Sequence, residues 1–145
     1  KWKYRPKLKT TQLNDQDMKI MKHKIKELTD QKLNIICLDS EMATIIDENK
    51  RLNNSTLWIA ILDHNGNRYY ESTVRYPRSS IYNLGTWCHG LSYNQINSST
   101  GFKVVRENVL DFIAGCDIIV GCGVITDLKA LAMTDQDIKL IKHKK

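Results

Sequence analysis

No apolar run in this 145-residue chain approaches the roughly 18–20 residues that cross a bilayer. No cationic-then-apolar signal segment opens it either, so the expectation is an intracellular protein without a membrane partner. The lysine-rich end suits nucleus and cytoplasm equally. Cysteine is scarce: Cys37, Cys88, Cys116 and Cys122 are scattered and lack C-x-x-C spacing, which speaks against structural zinc and against a disulfide framework. Cys37, Cys116 and Cys122 sit in or beside apolar runs, where a reduced thiol acts as a small hydrophobe. Lys1 rather than Met stands first, and the sequence is expected to be a piece of something longer.

What is present suits one ordinary globular domain, with 41% hydrophobic and 26% charged residues. The net charge is +6, and its distribution matters more than its size. Lys1, Lys3, Arg5, Lys7 and Lys9 interleave with Trp2 and Tyr4, and Lys139, Lys142, Lys144 and Lys145 close the chain. Basic residues mixed with aromatics suit a phosphate backbone whose bases can stack, although residues 1–12 read equally well as a solvated basic tail.

Periodicity predicts a helix over residues 13–30, with Met18, Met21, Ile25 and Leu28 on one face and Asn14 as its cap. Leu33–Leu38 reads as a short strand leading into Asp39, and residues 44–55 as turn-like. Two further strands, 56–62 and 68–76, flank Asn65-Gly66, a pair that tolerates positive φ and favours a tight hairpin. Residues 77–97 read as a long loop. A helix over 103–115, a buried strand over 117–120 and a helix from 126 follow, with Asp135 and Asp137 capping a last helical turn. Antiparallel strands followed by a helix–strand–helix crossover predict an α/β mixed sheet, an antiparallel hairpin plus a parallel strand, flanked by helices. Residues 15–24 (DQDMKIMKHK) also reappear at 135–144 (DQDIKLIKHK), seven of the ten positions being identical.

Asp39 and Glu41 carry the chemistry. Two positions apart on a strand, their side chains share a face, with Cα atoms roughly 6–7 Å apart. Carboxylates that close repel unless a cation lies between them, and hard ions such as Mg²⁺ or Mn²⁺ prefer oxygen ligands. The alternative is a strand end carrying two solvated acids.

The segment Leu38-Asp39-Ser40-Glu41-Met42 resembles the first motif of the RNA-exonuclease branch of the DEDD-type 3′–5′ exonucleases, whose usual form has Cys where Ser40 stands. Trp87-Cys88-His89-Gly90-Leu91-Ser92 resembles that family's nucleotide-contacting segment. The run from Gly121 to Leu131 resembles its second catalytic motif, with Asp127 matching the third acid and Cys122 standing where His is usual. The resemblance spans residues 33–133. It implies a ribonuclease H-like fold over residues 31–145, in which Asp39, Glu41 and Asp127, with one further Asp, hold two Mg²⁺ or Mn²⁺ ions on a scissile phosphate. It also implies that Met42, His89 and Leu91 contact the substrate, with Met42 and Leu91 wedged against the terminal bases.

The resemblance stops there. Eighteen residues follow Asp127, and none supplies a His or Tyr correctly spaced before a last Asp, so the catalytic set and the fold are expected to be incomplete at the C-terminus. His23 and His64 are expected at the surface, and Trp58 in the core. The function expected is a metal-dependent 3′–5′ exonuclease-like domain acting on RNA or single-stranded nucleic acid. The alternatives are a catalytically inactive module of that fold binding RNA or protein, and a structural assembly domain self-associating through the helices at 13–30 and 134–145.

Overall fold

Isoleucines at both ends of IICLDSEMATII favour an extended chain, and in the computed structural model β1 runs over Ile35–Ile46. The structure describes residues 15–97 and 100–142. The basic tail at 1–12, the Asn14 cap, and His143, Lys144 and Lys145 lie outside the described residues. The chain divides into two units, Lys1–Lys32 and Leu33–Lys145. In the first, α1 occupies Asp15–Asp30, with Met18 40% and Ile20 59% exposed.

The second unit begins with a clamp. Asn34 receives the Asp117 carboxylate on its backbone N–H at 2.7 Å, and its side-chain amide donates to the Gly115 carbonyl at 2.7 Å. This fixes β1 beside β6 (Ile118–Val120), which pairs with it in parallel from Ile35↔Ile118 to Cys37↔Val120. On its other edge β1 pairs antiparallel with β2 (Leu52–Asp63), and β2 with β3 (Arg68–Arg75). This is the expected mixed sheet, an antiparallel hairpin plus a parallel strand, flanked by helices.

Two expectations need correction. Asp39 and Glu41 do not end the strand: β1 continues past them to Ile46, because a hairpin pairs it with β2 as far as Ile46↔Leu52. Only 47–51 turn, where Asp47 Oδ1 accepts the backbone N–H groups of Asn49 and Arg51 at 2.9 and 2.8 Å. Nor are residues 77–97 a loop. They hold β4 (Ile81–Asn83), α2 (Thr86–His89) and α3 (Tyr93–Ile96), and β4 pairs with β1 at Thr44 and Ile45. A two-residue strand, β5 (Thr100–Gly101), then joins β3 in parallel.

Alternation along β1 separates two packing regions. Ile36 and Leu38 join Ile59, Ile61 and Val74 against Val105, Val109 and Ile113 of α4 (Phe102–Gly115), Leu128 of α5 (Val124–Ala130), Leu131, and Ile138 of α6 (Asp135–Lys142). Each such side chain contributes roughly 1.5–3 kcal/mol by burial, and a carboxylate at wholly buried Val109 would break this layer. A second cluster, Ala43, Leu57, Ile81, Leu84 and Ile96, packs beyond a bulge between Glu41 and Met42. The strand expected to be buried, β6, is only half-covered, with Val120 45% exposed. Both copies of the repeated segment contribute to helices, α1 and α6. In α6, Asp137 and Thr134 cap reciprocally, as expected of Asp137, while Asp135 lies 3.8 Å from Lys129. Among the described residues no helix is long and apolar enough to cross a membrane.

Candidate functional site

On one side β1 changes neighbours, with β6 alongside residues 35–37 and β4 alongside 44 and 45. Between them, among the described residues, no strand pairs with β1 on that edge, and Asp39, Ser40, Glu41 and Met42 lie in this notch. Gly121 lets the chain leave β6 tightly against the strand: a Cβ there would lie 2.5 Å from the Leu38 carbonyl oxygen.

Asp39 is exposed and Glu41 half-buried, on the face opposite α4 and α5. Asp127 comes from the other side. It is 5% exposed on α5, and its Oδ1 accepts the hydroxyl of buried Ser40. Glu41 and Asp127 are both shifted. Burial pushes Glu41 upward, His89 pulls it down, and the charges of Asp39 and Asp127 push it up again. Burial likewise raises Asp127, the Ser40 hydrogen bond lowers it, and Asp39 raises it.

The donors fit a hard divalent ion in type, being all oxygen, and Mg²⁺ needs only one or two carboxylates with waters and phosphate oxygens completing its shell. They do not form a protein-only cage. Among the described residues, no group of three or more His, Cys, Asp or Glu side chains is arranged to hold a metal ion. Asp127 approaches from behind the strand and is held there by Ser40.

The other expected site residues lie around the notch. His89 accepts the Leu91 N–H on Nδ1 at 3.0 Å and donates from Nε2 to the Leu84 carbonyl at 2.6 Å. Both nitrogens are thus used in closing the 84–91 segment. That segment packs Leu91 against the second cluster, and the Met42 carbonyl oxygen abuts Gly85.

Trp58 is not the core residue expected from its apolar strand. It pairs with Glu41 on one side and Thr73 on the other, so the three share a face. Its indole N–H donates to Glu71 at 3.0 Å, and with Glu71, Thr73 and Leu91 it lines a shallow cavity of about 510 Å³. Only strand register could have placed it beside the acids. Trp87 stands 71% exposed on α2. Cys122, expected in an apolar setting, is exposed, as is Cys88; Cys116 is buried and Cys37 half-buried.

No protein-family model matches the chain. No curated protein matches it. The chain is similar to a 3′-exonuclease in the solved structure "3'-end specific recognition of histone mRNA stem-loop by 3'-exonuclease", with a TM-score of 0.44 and 13% sequence identity. The similarity covers 74% of this chain and 45% of that one, so it spans a little under half of that protein's length.

Proposed function

We propose that the Leu33–Lys145 unit is a metal-dependent 3′–5′ exonuclease-like domain acting on the end of RNA or another single-stranded nucleic acid, with a catalytic set that the described residues leave incomplete. The observation that carries this reading is the placement of Asp39 and Glu41 on one face of β1, with Asp127 held against the same strand by Ser40. Two acids held above their ordinary range by burial and by a common neighbour are relieved by a divalent cation. Mg²⁺ or Mn²⁺, when bound, lowers the pKa of a coordinated water and offsets charge on a phosphate. Asp39 and Glu41 would hold it from the open face, with Asp127, held behind the strand by Ser40, adding its charge. The apolar surfaces of Met42, Leu91 and Trp58 would receive terminal bases, and exposed Trp87 offers a further ring. Base–aromatic stacking of this kind is worth about 1–3 kcal/mol per base.

A proton acceptor for the attacking water is the weak part of this set. His89 would have to give up its hydrogen bond from Leu91 to take a proton on Nδ1. Asp137 and Asp135 are engaged at the start of α6. This favours a second reading, a catalytically inactive module of the same fold that binds RNA. Both readings share the metal-assisted nucleic-acid contact, and they separate on turnover.

The test is binding of a short single-stranded RNA followed by fluorescence anisotropy, with Mn²⁺ and with a chelator, at several salt concentrations. Tighter binding with Mn²⁺ that weakens steeply with salt, and loss of the Mn²⁺ effect in Asp39→Asn, are expected. Binding indifferent to Mn²⁺ and to Asp39→Asn overturns the reading. Release of 3′-terminal nucleotides in the same samples separates enzyme from binding module.

A further inference from the structure

The two most exposed aromatic rings among the described residues belong to one short segment. Tyr82 on β4 is 65% exposed and Trp87 on α2 is 71% exposed. Neither does much for the fold, because a ring left in water gains little from burial. The segment is anchored instead by Ile81, Leu84 and Ile96, with Leu91 packed against them.

Both rings stand beside the carboxylates. β4 pairs with β1 at Thr44 and Ile45, so Tyr82 sits on the strand that borders the notch just past Met42. Gly85, the residue before α2, abuts the Met42 carbonyl oxygen, and the His89 ring folds back onto Gly85 and the Leu84 carbonyl. Trp87 lies between Gly85 and His89, within one helical turn of the backbone that touches Met42.

Charge sets this side of the notch apart. The chain holds 16 acids, yet none falls in residues 72–106, which carry Arg75, Arg78, Lys103 and Arg106. Arg106 is engaged with the Leu131 carbonyl. Arg78 is exposed in the short helical turn Arg78–Ser80 that leads into β4, and its guanidinium lies 4.5 Å from the centre of the Tyr93 ring. It enters no ion pair among the described residues. The turn at 47–51 adds Asp47 and Glu48 but also Lys50 and Arg51, so it leaves the balance unchanged. Exposed rings beside a guanidinium without an acid suit bases that stack and phosphates that carry charge.

We propose that Tyr82 and Trp87 form a stacking track for the nucleotides 5′ of the end held at Asp39 and Glu41, with Arg78 on their phosphates. This rests on the nucleic-acid reading of the notch and adds a substrate class: a single strand several nucleotides long, not a dinucleotide. Stacking tolerates any base, so the track selects for length and for unpaired bases rather than for sequence.

Calorimetric titration of the full chain with a uridine dinucleotide and a uridine octanucleotide, in Mn²⁺, tests this. A phosphorothioate at the 3′-terminal linkage blocks cleavage. Each stacked base contributes roughly fivefold or more in affinity, so two rings predict an octanucleotide bound at least about 25-fold tighter than the dinucleotide. Tyr82→Ala and Trp87→Ala are each expected to narrow that ratio about fivefold or more. Both side chains are exposed, so circular dichroism should stay that of the wild type. Tyr69→Ala, which removes an exposed ring on β3, should leave the ratio as it is. A ratio near one, or one indifferent to Tyr82→Ala and Trp87→Ala, overturns the track and leaves the reading of the notch standing. Binding of neither RNA overturns both. Unchanged RNA affinities, with a self-association in sedimentation that Tyr82→Ala abolishes, would make this face a protein contact and also overturn the track.

Discussion

Ser40, on the strand between Asp39 and Glu41, donates its hydroxyl to the carboxylate of Asp127, 87 residues further along the chain. Its neighbours on the strand point to the open face, whereas Ser40 points back and fixes the third acid against the same strand. A buried hydrogen bond to a charged group is worth about 1.5–3 kcal/mol. Ser40→Ala should therefore lower stability by about 2 kcal/mol in urea unfolding. It should also raise the Asp127 carboxyl further, because this hydrogen bond and one from the backbone lower it. Unchanged stability would mean that the contact holds nothing.

The carboxylates give stability a two-sided dependence on pH. Glu41 and Asp127 stand above their ordinary values, chiefly through burial, so the folded chain holds protons there that the unfolded chain has lost. Stability should rise as pH falls from neutrality toward the ordinary carboxylate range near 4. Asp47, Asp63 and Asp137 are lowered, chiefly by the Arg51 N–H, the Asn67 amide and the Thr134 N–H respectively. Their contribution, present above the ordinary value, is lost as pH falls below it. Urea midpoints from pH 7.5 to 3 should pass through a maximum, and Asp127→Asn should flatten its neutral side. A curve falling steadily from pH 7 would contradict this assignment.

Gly121→Ala should damage the site through the backbone. The new Cβ would meet the Leu38 carbonyl oxygen at 2.5 Å and the Val124 side chain at 2.9 Å. Leu38 precedes Asp39 in the sheet, so a shift there moves the acids. A loss of about 1–3 kcal/mol is expected from such overpacking, measured by thermal or urea unfolding. A variant as stable as the wild type would show that the turn has room the contact distances deny.

The two hairpins show how far the sequence was legible. Asp63-His64-Asn65-Gly66-Asn67 was recognisable by its Asn-Gly pair, yet only Gly66 takes positive φ, at 84°. Asp47-Glu48-Asn49-Lys50-Arg51 has the same build. In both, the first Asp accepts N–H groups two and four residues on, and the fourth residue is left-handed. There the fourth residue is Lys50, at φ 58°, and without glycine the turn hid inside a polar stretch. Lys50→Gly should relieve that conformation and stabilise the domain by up to about 1 kcal/mol in urea unfolding. Destabilisation would place the constraint elsewhere.

At the site, period-two alternation was enough to place Asp39 and Glu41 on one face, because it depends on one strand alone. The family resemblance singles out Asp127, but its approach from behind the sheet depends on how β6 turns into α5. Trp58 depends on register with β1 and β3, and the pairing of Ser40 with Asp127 on contacts far apart in sequence. None of these leaves a local pattern to read.

Calorimetric titration of the chain with Mn²⁺ at pH 7.5 and low salt decides whether Asp39 and Glu41 hold a cation. Saturable binding is expected at or below millimolar concentration, abolished by Asp39→Asn and weakened by Ser40→Ala, with all three proteins folded by circular dichroism. No heat of binding up to several millimolar, or equal binding by Asp39→Asn, would contradict it.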